Sequence, residues 1–420
     1  MRDSLLQLDT TPALLRQRFR HDTSTILLVS VAHGLTHFFH LLLPPLFPVF
    51  TQQFHVSYIQ LGLLMSLFFS VSAIGQFFSG FVVHRFGPVL VLYLGMGMLV
   101  CSGLCLFLAD RYTLLLLSAL FSGLGNAVIH PVNYSIINFR IHPDRLGHAF
   151  STHSLAGTAG WVLAPPFVLF VSFHYGWHAV GLGSALLAAF TLLSLLWNRN
   201  LIQVGHTPSI ATHTPSAPPS PGARLGFLFI PTIWLSFAYF FLSNTAFGAL
   251  QSYLIPLLKH YYGLSLHAAT FSMTGLLVGN GLGVIAGGFL ANRQAAAHQN
   301  TIVIALTCSA GLAVLLASET LPAAMVYVML PAMGFSMGLA GPFRHLMARI
   351  AAQSDGGRHC QSCIYGFVYA GQDLGTSITP AWAGQLMDSQ HFMGVFMGIA
   401  LFQGGAVLAA LLESRKGRPA

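Results

Sequence analysis

Charge is what this chain lacks most. Asp, Glu, Lys and Arg make up 7% of its 420 residues, against 55% hydrophobic residues, and the mean hydropathy is +0.70. Soluble domains carry about 25% charged residues. So few charges cannot cover a water-facing surface, which excludes an ordinary soluble domain and points to a surface that faces lipid. Acids are scarcer than bases: ten Asp and Glu stand against eighteen Lys and Arg. The five cysteines are an odd number scattered over apolar runs, which argues against a disulfide framework. Cys360-x-x-Cys363 has no second pair to complete a metal or redox site. The chain also lacks a nucleotide-binding loop, a Ser-His-Asp pattern and any large polar domain, which leaves an integral membrane enzyme or receptor without support. The formal charge of +8 forms no continuous basic face, so no nucleic-acid partner is expected.

What the chain has is length in apolar runs. About 20 apolar residues cross a bilayer as a helix. Twelve such runs are expected near 26–50, 59–83, 89–108, 112–138, 147–171, 178–197, 227–258, 268–290, 301–318, 322–346, 361–386 and 392–412. The first is too long for a signal-peptide core and lacks a small-residue cleavage site. The seventh is too long for one crossing and should protrude or bend.

The bases set the orientation. Arg2, Arg16, Arg18 and Arg20 precede the first run. Arg85, Arg140, Arg145, Arg199, Arg224, Arg293, Arg349, Arg358, Arg415, Lys416 and Arg418 fall in even-numbered connections or after the last run. Only Arg111 and Lys259 fall on the other side. Positive charge stays cytoplasmic, so both termini are expected inside.

The chain also repeats itself. Gly80-Phe81-Val82-Val83-His84-Arg85 returns as Gly288-Phe289-Leu290-Ala291-Asn292-Arg293, an offset of 208 residues. Gly123 and Pro131 in run 4 correspond to Gly334 and Pro342 in run 10; Gly157 and Pro166 in run 5 correspond to Gly371 and Pro380 in run 11. These prolines should weaken related helices at related depths. Between the repeats, His206 to Gly222 is rich in Pro, Ser and Thr and reads as a disordered or extended linker. A repeat of half the chain length, both halves apolar, is the pattern of a duplicated membrane transporter. The expected fold is an all-α membrane protein of 12 transmembrane helices in two pseudo-symmetric six-helix bundles, 1–198 and 226–420, joined by a cytoplasmic linker at 199–225.

These features resemble the major facilitator superfamily over nearly the whole chain. The resemblance rests on the 6+6 layout, the linker and the Gly80-to-Gly87 motif between spans 2 and 3. Within that superfamily the chain resembles the fosmidomycin-resistance efflux group. The residues that carry this are His33, the Tyr58-x-Gln60-x-Gly62 run, His130-Pro131, and Gly147-x6-Ser154-x2-Gly157-x2-Gly160. The resemblance implies that Gly80, His84, Arg85 and Gly87, with Gly288, Asn292 and Arg293, form a gating motif. The family's acid is replaced there by His84 and Asn292, which would hold a helix end more weakly than a carboxylate. Acids that often stand at the positions of His37 and Val132 in that group are also missing, so a coupling scheme built on them does not carry over.

Nine of the ten acids fall in tails, connections or span ends, leaving Asp373 in run 11 as the deep one. An ionisable group inside a membrane is by default a functional hypothesis. Asp373 is either a proton-binding carboxylate or a hydrogen-bonded pin between helices. His33, His37 and His40 share one face of run 1, at i, i+4 and i+7. The resemblance implies that spans 1, 4, 7 and 10 line a central cavity, which would place His130, Arg344 and His345 around the same space, with His153 as a further candidate. The stripe could bind a transition metal, relay protons, or make the cavity electropositive for an anionic solute. Trp161, Tyr239, Phe240 and Tyr365, with Asn133, Asn244 and Gln251, would supply walls and orienting hydrogen bonds, or simply pack helices.

The expected function is secondary active transport by alternating access, proton-driven export of a small, anionic organic solute or drug, by a monomer in the bacterial inner membrane. The expected partners are that small-molecule substrate, protons and the lipid bilayer, with no cofactor and no catalysis. The alternative is movement of a metal ion or metal chelate through a His-lined cavity.

Overall fold

The computed structural model describes residues 12–203, 226–291, 296–318, 321–353 and 361–416. Of the expected linker, Arg199–Ile202 forms a helical turn, while residues 204–225, Asn292, Arg293 and Cys360 lie outside the described residues. Twelve long helices account for most of the rest. They are α1 (Pro12–His40), α2 (Tyr58–Phe86), α3 (Pro88–Phe107), α4 (Tyr112–Ala127, continued by Ile129–Arg140), α5 (Leu146–Tyr175) and α6 (Trp177–Trp197) in the first half. The second half has α7 (Pro231–Tyr261), α8 (Leu266–Ala291), α9 (Ala296–Leu316), α10 (Val326–Gln353), α11 (Gln361–Thr379, continued through Pro380–Gly384 and Gln385–Asp388) and α12 (Phe392–Lys416).

Local chemistry explains the boundaries. Ser57 caps α2 by accepting from the Gln60 backbone N–H while the Gln60 side chain accepts from the Ser57 N–H, a reciprocal capping box. Gly87, at φ +79°, is the single residue between α2 and α3, a conformation that a β-carbon disfavours. Pro88 and Pro231 open α3 and α7, where a missing N–H costs nothing. The expected first run is interrupted: α1 ends at His40, and Pro44 and Pro45 turn the chain into a short helix, Phe47–Phe54. The long seventh run is one helix of 31 residues.

The prolines expected to weaken matched helices act unevenly. Helix α4 breaks at Val128, just before His130-Pro131, and α11 widens into a π-turn at Pro380. Helix α5 runs unbroken through Pro165 and Pro166, and α10 runs unbroken from Val326 to Gln353.

Eleven of these helices are long and apolar enough to cross a membrane. The exception is α11, which carries Gln361, Gln372, Asp373, Gln385 and Asp388. It packs nonetheless as the twelfth member. In the first half α1 packs on α5, α2 on α4 and α3 on α6; in the second half α7 packs on α11, α8 on α10 and α9 on α12. The two six-helix bundles therefore repeat one packing pattern. They meet along α2–α11 and α5–α8. Large apolar side chains such as Phe173, Phe190 and Leu401 point outward, as expected of a surface that faces hydrocarbon.

Candidate functional site

Five histidines converge inside the first bundle. His33, His37 and His40 come from α1, His130 from the second part of α4, and His153 from α5. The rings of His33 and His153 stack at 3.8 Å, and those of His33 and His37 lie 4.3 Å apart. His130 sits 4.9 Å from His33 and 6.0 Å from His37. Close helix approach makes this possible. A β-carbon at Gly160 would fall 1.9 Å from the carbonyl oxygen of Gly34, and one at Gly157 would strike the rings of His33 and His37. The glycine pattern of α5 is thus the bed on which α1 and its histidines lie. His33, His40 and His153 are buried, while His37 and His130 are partly exposed.

Hydrogen bonds fix several tautomers. The His153 carbonyl can only accept, so His33 donates to it from Nδ1 (2.8 Å) and keeps a lone pair on Nε2. The Trp161 indole donates to His40 Nδ1 at 3.3 Å, so His40 carries its proton on Nε2 and donates to Asn126 Oδ1 at 3.0 Å. Asn133 Nδ2 donates to the Val29 carbonyl (3.1 Å) and to His153 Nε2 (3.2 Å). Trp161 also stacks on His37 at 4.5 Å and meets Phe247 of α7 edge-on at 5.7 Å, which brings the cluster to the boundary with the second bundle.

Asp373 lies on that boundary. It is partly buried, and its Oδ2 accepts from Gln76 Nε2 of α2 at 2.7 Å and from the Ser72 hydroxyl at 3.5 Å. Ser72 Oγ in turn accepts from Asn126 Nδ2 at 2.8 Å and from Gln76 Nε2 at 3.1 Å. One run of hydrogen bonds therefore leads from Trp161 through His40, Asn126 and Ser72 to Asp373, from the histidine cluster into the other bundle. Among the described residues no ion pair involves Asp373.

Several expectations are corrected. Asp373 is not the only acid drawn inside. Glu413, one residue past the expected end of the twelfth run, is 6% exposed and accepts from the Ser236 hydroxyl at 2.7 Å. Asp22 is buried beside Arg145, 3.6 Å away. For Tyr239 and Phe240 the packing alternative is the one seen: both are buried in the core of the second bundle with Ile233, Ile302 and Val368. Asn244 spends its amide on the Phe240 carbonyl of its own helix, at 2.8 Å. Gln251 is buried in α7. The side chains of Arg344, His345 and Tyr365, like that of His84, lie outside the described ones. Arg85 is exposed, its guanidinium over the Phe86 ring, and a β-carbon at Gly288 would meet nothing.

The Tyr58-x-Gln60-x-Gly62 run proves to be a contact between bundles, at the end of the molecule away from Pro12 and Lys416. The Asp388 carboxylate, at the end of α11, accepts from the backbone N–H groups of Tyr58 (2.6 Å) and Ile59 (2.9 Å). The Tyr58 hydroxyl pairs with His260 Nε2 at 2.9 Å, and the Tyr253 hydroxyl donates to the Tyr58 carbonyl at 3.1 Å. Gly62 leaves room for the Tyr253 hydroxyl and Pro380. Further in, Ser66 Oγ donates to the Ser377 carbonyl at 2.5 Å. Sequence reading missed Asp388 because its partners are 330 positions away.

Comparison with known proteins follows the same lines. A bacterial homolog of the human lysosomal transporter Spinster, solved in an inward-facing and occupied conformation, superimposes with a TM-score of 0.68 at 17% identity, over 95% of this chain and 98% of that one. The unoccupied, inward-facing form gives 0.67 at 17% identity, over 95% and 99%. The uncharacterized MFS-type transporter YfnC of Bacillus subtilis (strain 168) is 24% identical over 140 residues, 33% of this chain and 34% of that protein. The chain thus aligns with about a third of the length of that relative. The sequence pattern of the Major Facilitator Superfamily matches residues 29–380. With twelve helices in two related bundles and this match over most of its length, the chain belongs to the Major Facilitator Superfamily.

Proposed function

We propose that the protein is a proton-coupled secondary transporter that exports a small organic solute by alternating access. The observation that carries the reading is the carboxylate of Asp373, which stands at the bundle boundary and is held across it by Gln76 at 2.7 Å. An ionised carboxylate accepts from both Gln76 and Ser72 and so holds α2 against α11. Protonation removes the charge and turns one acceptor into a donor, which weakens the same contact. Proton binding and bundle separation then share one group, which is what coupling needs.

The basic residues support an inner-membrane placement with the termini in the cytoplasm. In that placement the Asp388 contact closes the outer end. The polar, acid-poor lining at the histidine cluster supports an anionic cargo, bound by neutral N–H donors of imidazole and amide.

The test uses full-length protein in proteoliposomes, with a cargo found by thermal-shift screening of phosphonates, organic acids and drugs. Asp373→Asn should abolish accumulation driven by a pH gradient and leave cargo exchange in place. Undiminished accumulation in that variant would refute the coupling role.

A further inference from the structure

The five histidines divide into two kinds. His40 and His153 have their ring lone pairs engaged: His40 Nδ1 accepts from Trp161, and His153 Nε2 accepts from Asn133. The other three have not. His33 Nε2 and His37 Nδ1 are buried ring nitrogens without a hydrogen-bond partner, and the partly exposed ring of His130 has no hydrogen bond among the described residues. Leaving buried polar atoms unpaired is costly, and native structures rarely do it without a reason. These three rings are also the ones that converge: one nitrogen from each of His33, His37 and His130 lies within 4.8 Å of the other two.

From this we infer that His33, His37 and His130 form a binding site for a divalent first-row transition-metal ion, with Zn2+ as the fitting example. The chemistry agrees on four counts. Neutral imidazoles are the ligands such ions prefer, and a set without carboxylates disfavours Mg2+ and Ca2+. His33 is already in the ligating tautomer, because its Nδ1–H is committed to the His153 carbonyl (2.8 Å); outer-shell bonds of this kind orient metal-binding histidines in general. Trp161 stacks on His37 and His153 stacks on His33, which limits those two rings to small rotations. Gly157 supplies the space, since a β-carbon there would fall 2.6 Å from His33 Cε1 and 2.8 Å from His37 Nδ1.

The nitrogens must close to about 3.3 Å from one another to ligate a tetrahedral ion at roughly 2.0–2.1 Å. Small side-chain rotations supply that movement, and a site that is open without metal is suited to releasing it. Three protein ligands leave the fourth position free for water or for an anionic donor atom. The site requires only the fold and stands whether or not Asp373 couples protons to transport.

The test is metal binding by the full-length, tag-free protein in detergent, with Co2+ as the spectroscopic probe. The wild type should bind one Co2+ with the intense visible absorption of four-coordinate cobalt, and Zn2+ should displace it. His37→Gln and His130→Gln should each weaken binding tenfold or more, while His148→Gln, at an exposed position, should leave it unchanged; such a control matters in a chain with 20 histidines. His37→Cys should retain the metal and add a sulfur-to-cobalt charge-transfer band in the near ultraviolet, which places position 37 on the metal. A wild type without the four-coordinate spectrum would overturn the site. So would a spectrum unaffected by both glutamine variants. Should those variants fold poorly, as judged by melting and gel filtration, the cysteine variant decides, and absence of its charge-transfer band overturns the site.

Discussion

Gln76 of α2 donates to the carboxylate of Asp373 of α11 at 2.7 Å, a bond between residues 297 positions apart that joins the two bundles at the boundary where they would have to part. The same Gln76 nitrogen reaches Ser72 at 3.1 Å, so a single amide holds both the acid and its second donor. Removing that amide tests the coupling without touching the acid. A hydrogen bond to a charged group contributes about 1.5–3 kcal/mol. Gln76→Leu should therefore lower gradient-driven accumulation on the order of tenfold while cargo exchange persists. Equal loss of both in proteoliposomes would mean that Gln76 serves folding or cargo binding instead.

At the far end, Asp388 receives two backbone N–H groups from the first turn of α2. A carboxylate at a helix N-terminus is favoured by both hydrogen bonding and the helix dipole, by about 0.3–1 kcal/mol at exposed sites. Asp388→Asn should shift the population away from this closed end by up to about fivefold, and more at low salt than at high salt. Spin labels at the exposed positions 53 and 390 would report it as a longer distance component. A distribution that does not respond to the substitution would show that Tyr58, Tyr253 and His260 suffice to close this end.

Helix α5 supplies a test of packing. Gly160→Ala would drive its β-carbon to 1.9 Å from the Gly34 carbonyl, so α1 and α5 must separate. Overpacking of this kind costs about 1–3 kcal/mol. The variant should melt several degrees lower in detergent. Gly97→Ala, where a β-carbon meets nothing within 4 Å, should melt no lower than the wild type. Equal melting of the two variants would mean that the α1–α5 approach yields without cost.

Much of the architecture is legible in the sequence. Run length and spacing give the helices, the repeated glycine-arginine motif gives the two halves, and the i, i+4, i+7 spacing puts three histidines on one face. What the sequence leaves open has several causes. Tyr239 and Asn244 sit on a helix whose polar residues gather on no single face, so the sequence does not show which side meets the cavity and which meets the bundle core. Asp388 and Glu413 both stand at span ends, just past their apolar runs. Asp388 is indeed at one, yet its partner is a helix start in the other half of the chain. Glu413 is buried because α12 continues to Lys416, further than the apolar run alone suggests. His130 and His153 lie on different helices from the stripe, and the close α1–α5 approach permitted by Gly157 and Gly160 brings His153 to it.

The line from Trp161 to Asp373 has a property that its polarity conceals. Each member donates forward: the indole to His40, His40 to Asn126, Asn126 to Ser72, Ser72 to the carboxylate. The dipoles therefore add in one direction and end on a negative charge. Asn126 stands in the middle, however, and an amide neither gains nor loses a proton near neutral pH. The line conducts orientation but insulates against proton flow. A proton that reaches Asp373 can turn Ser72 and Asn126 and so alter the bond that holds His40, yet it cannot travel back to the histidines along the same path. If Asp373 couples protons as proposed, the two bundles would respond to one proton without passing it along this line, which would keep the carrier from becoming a leak.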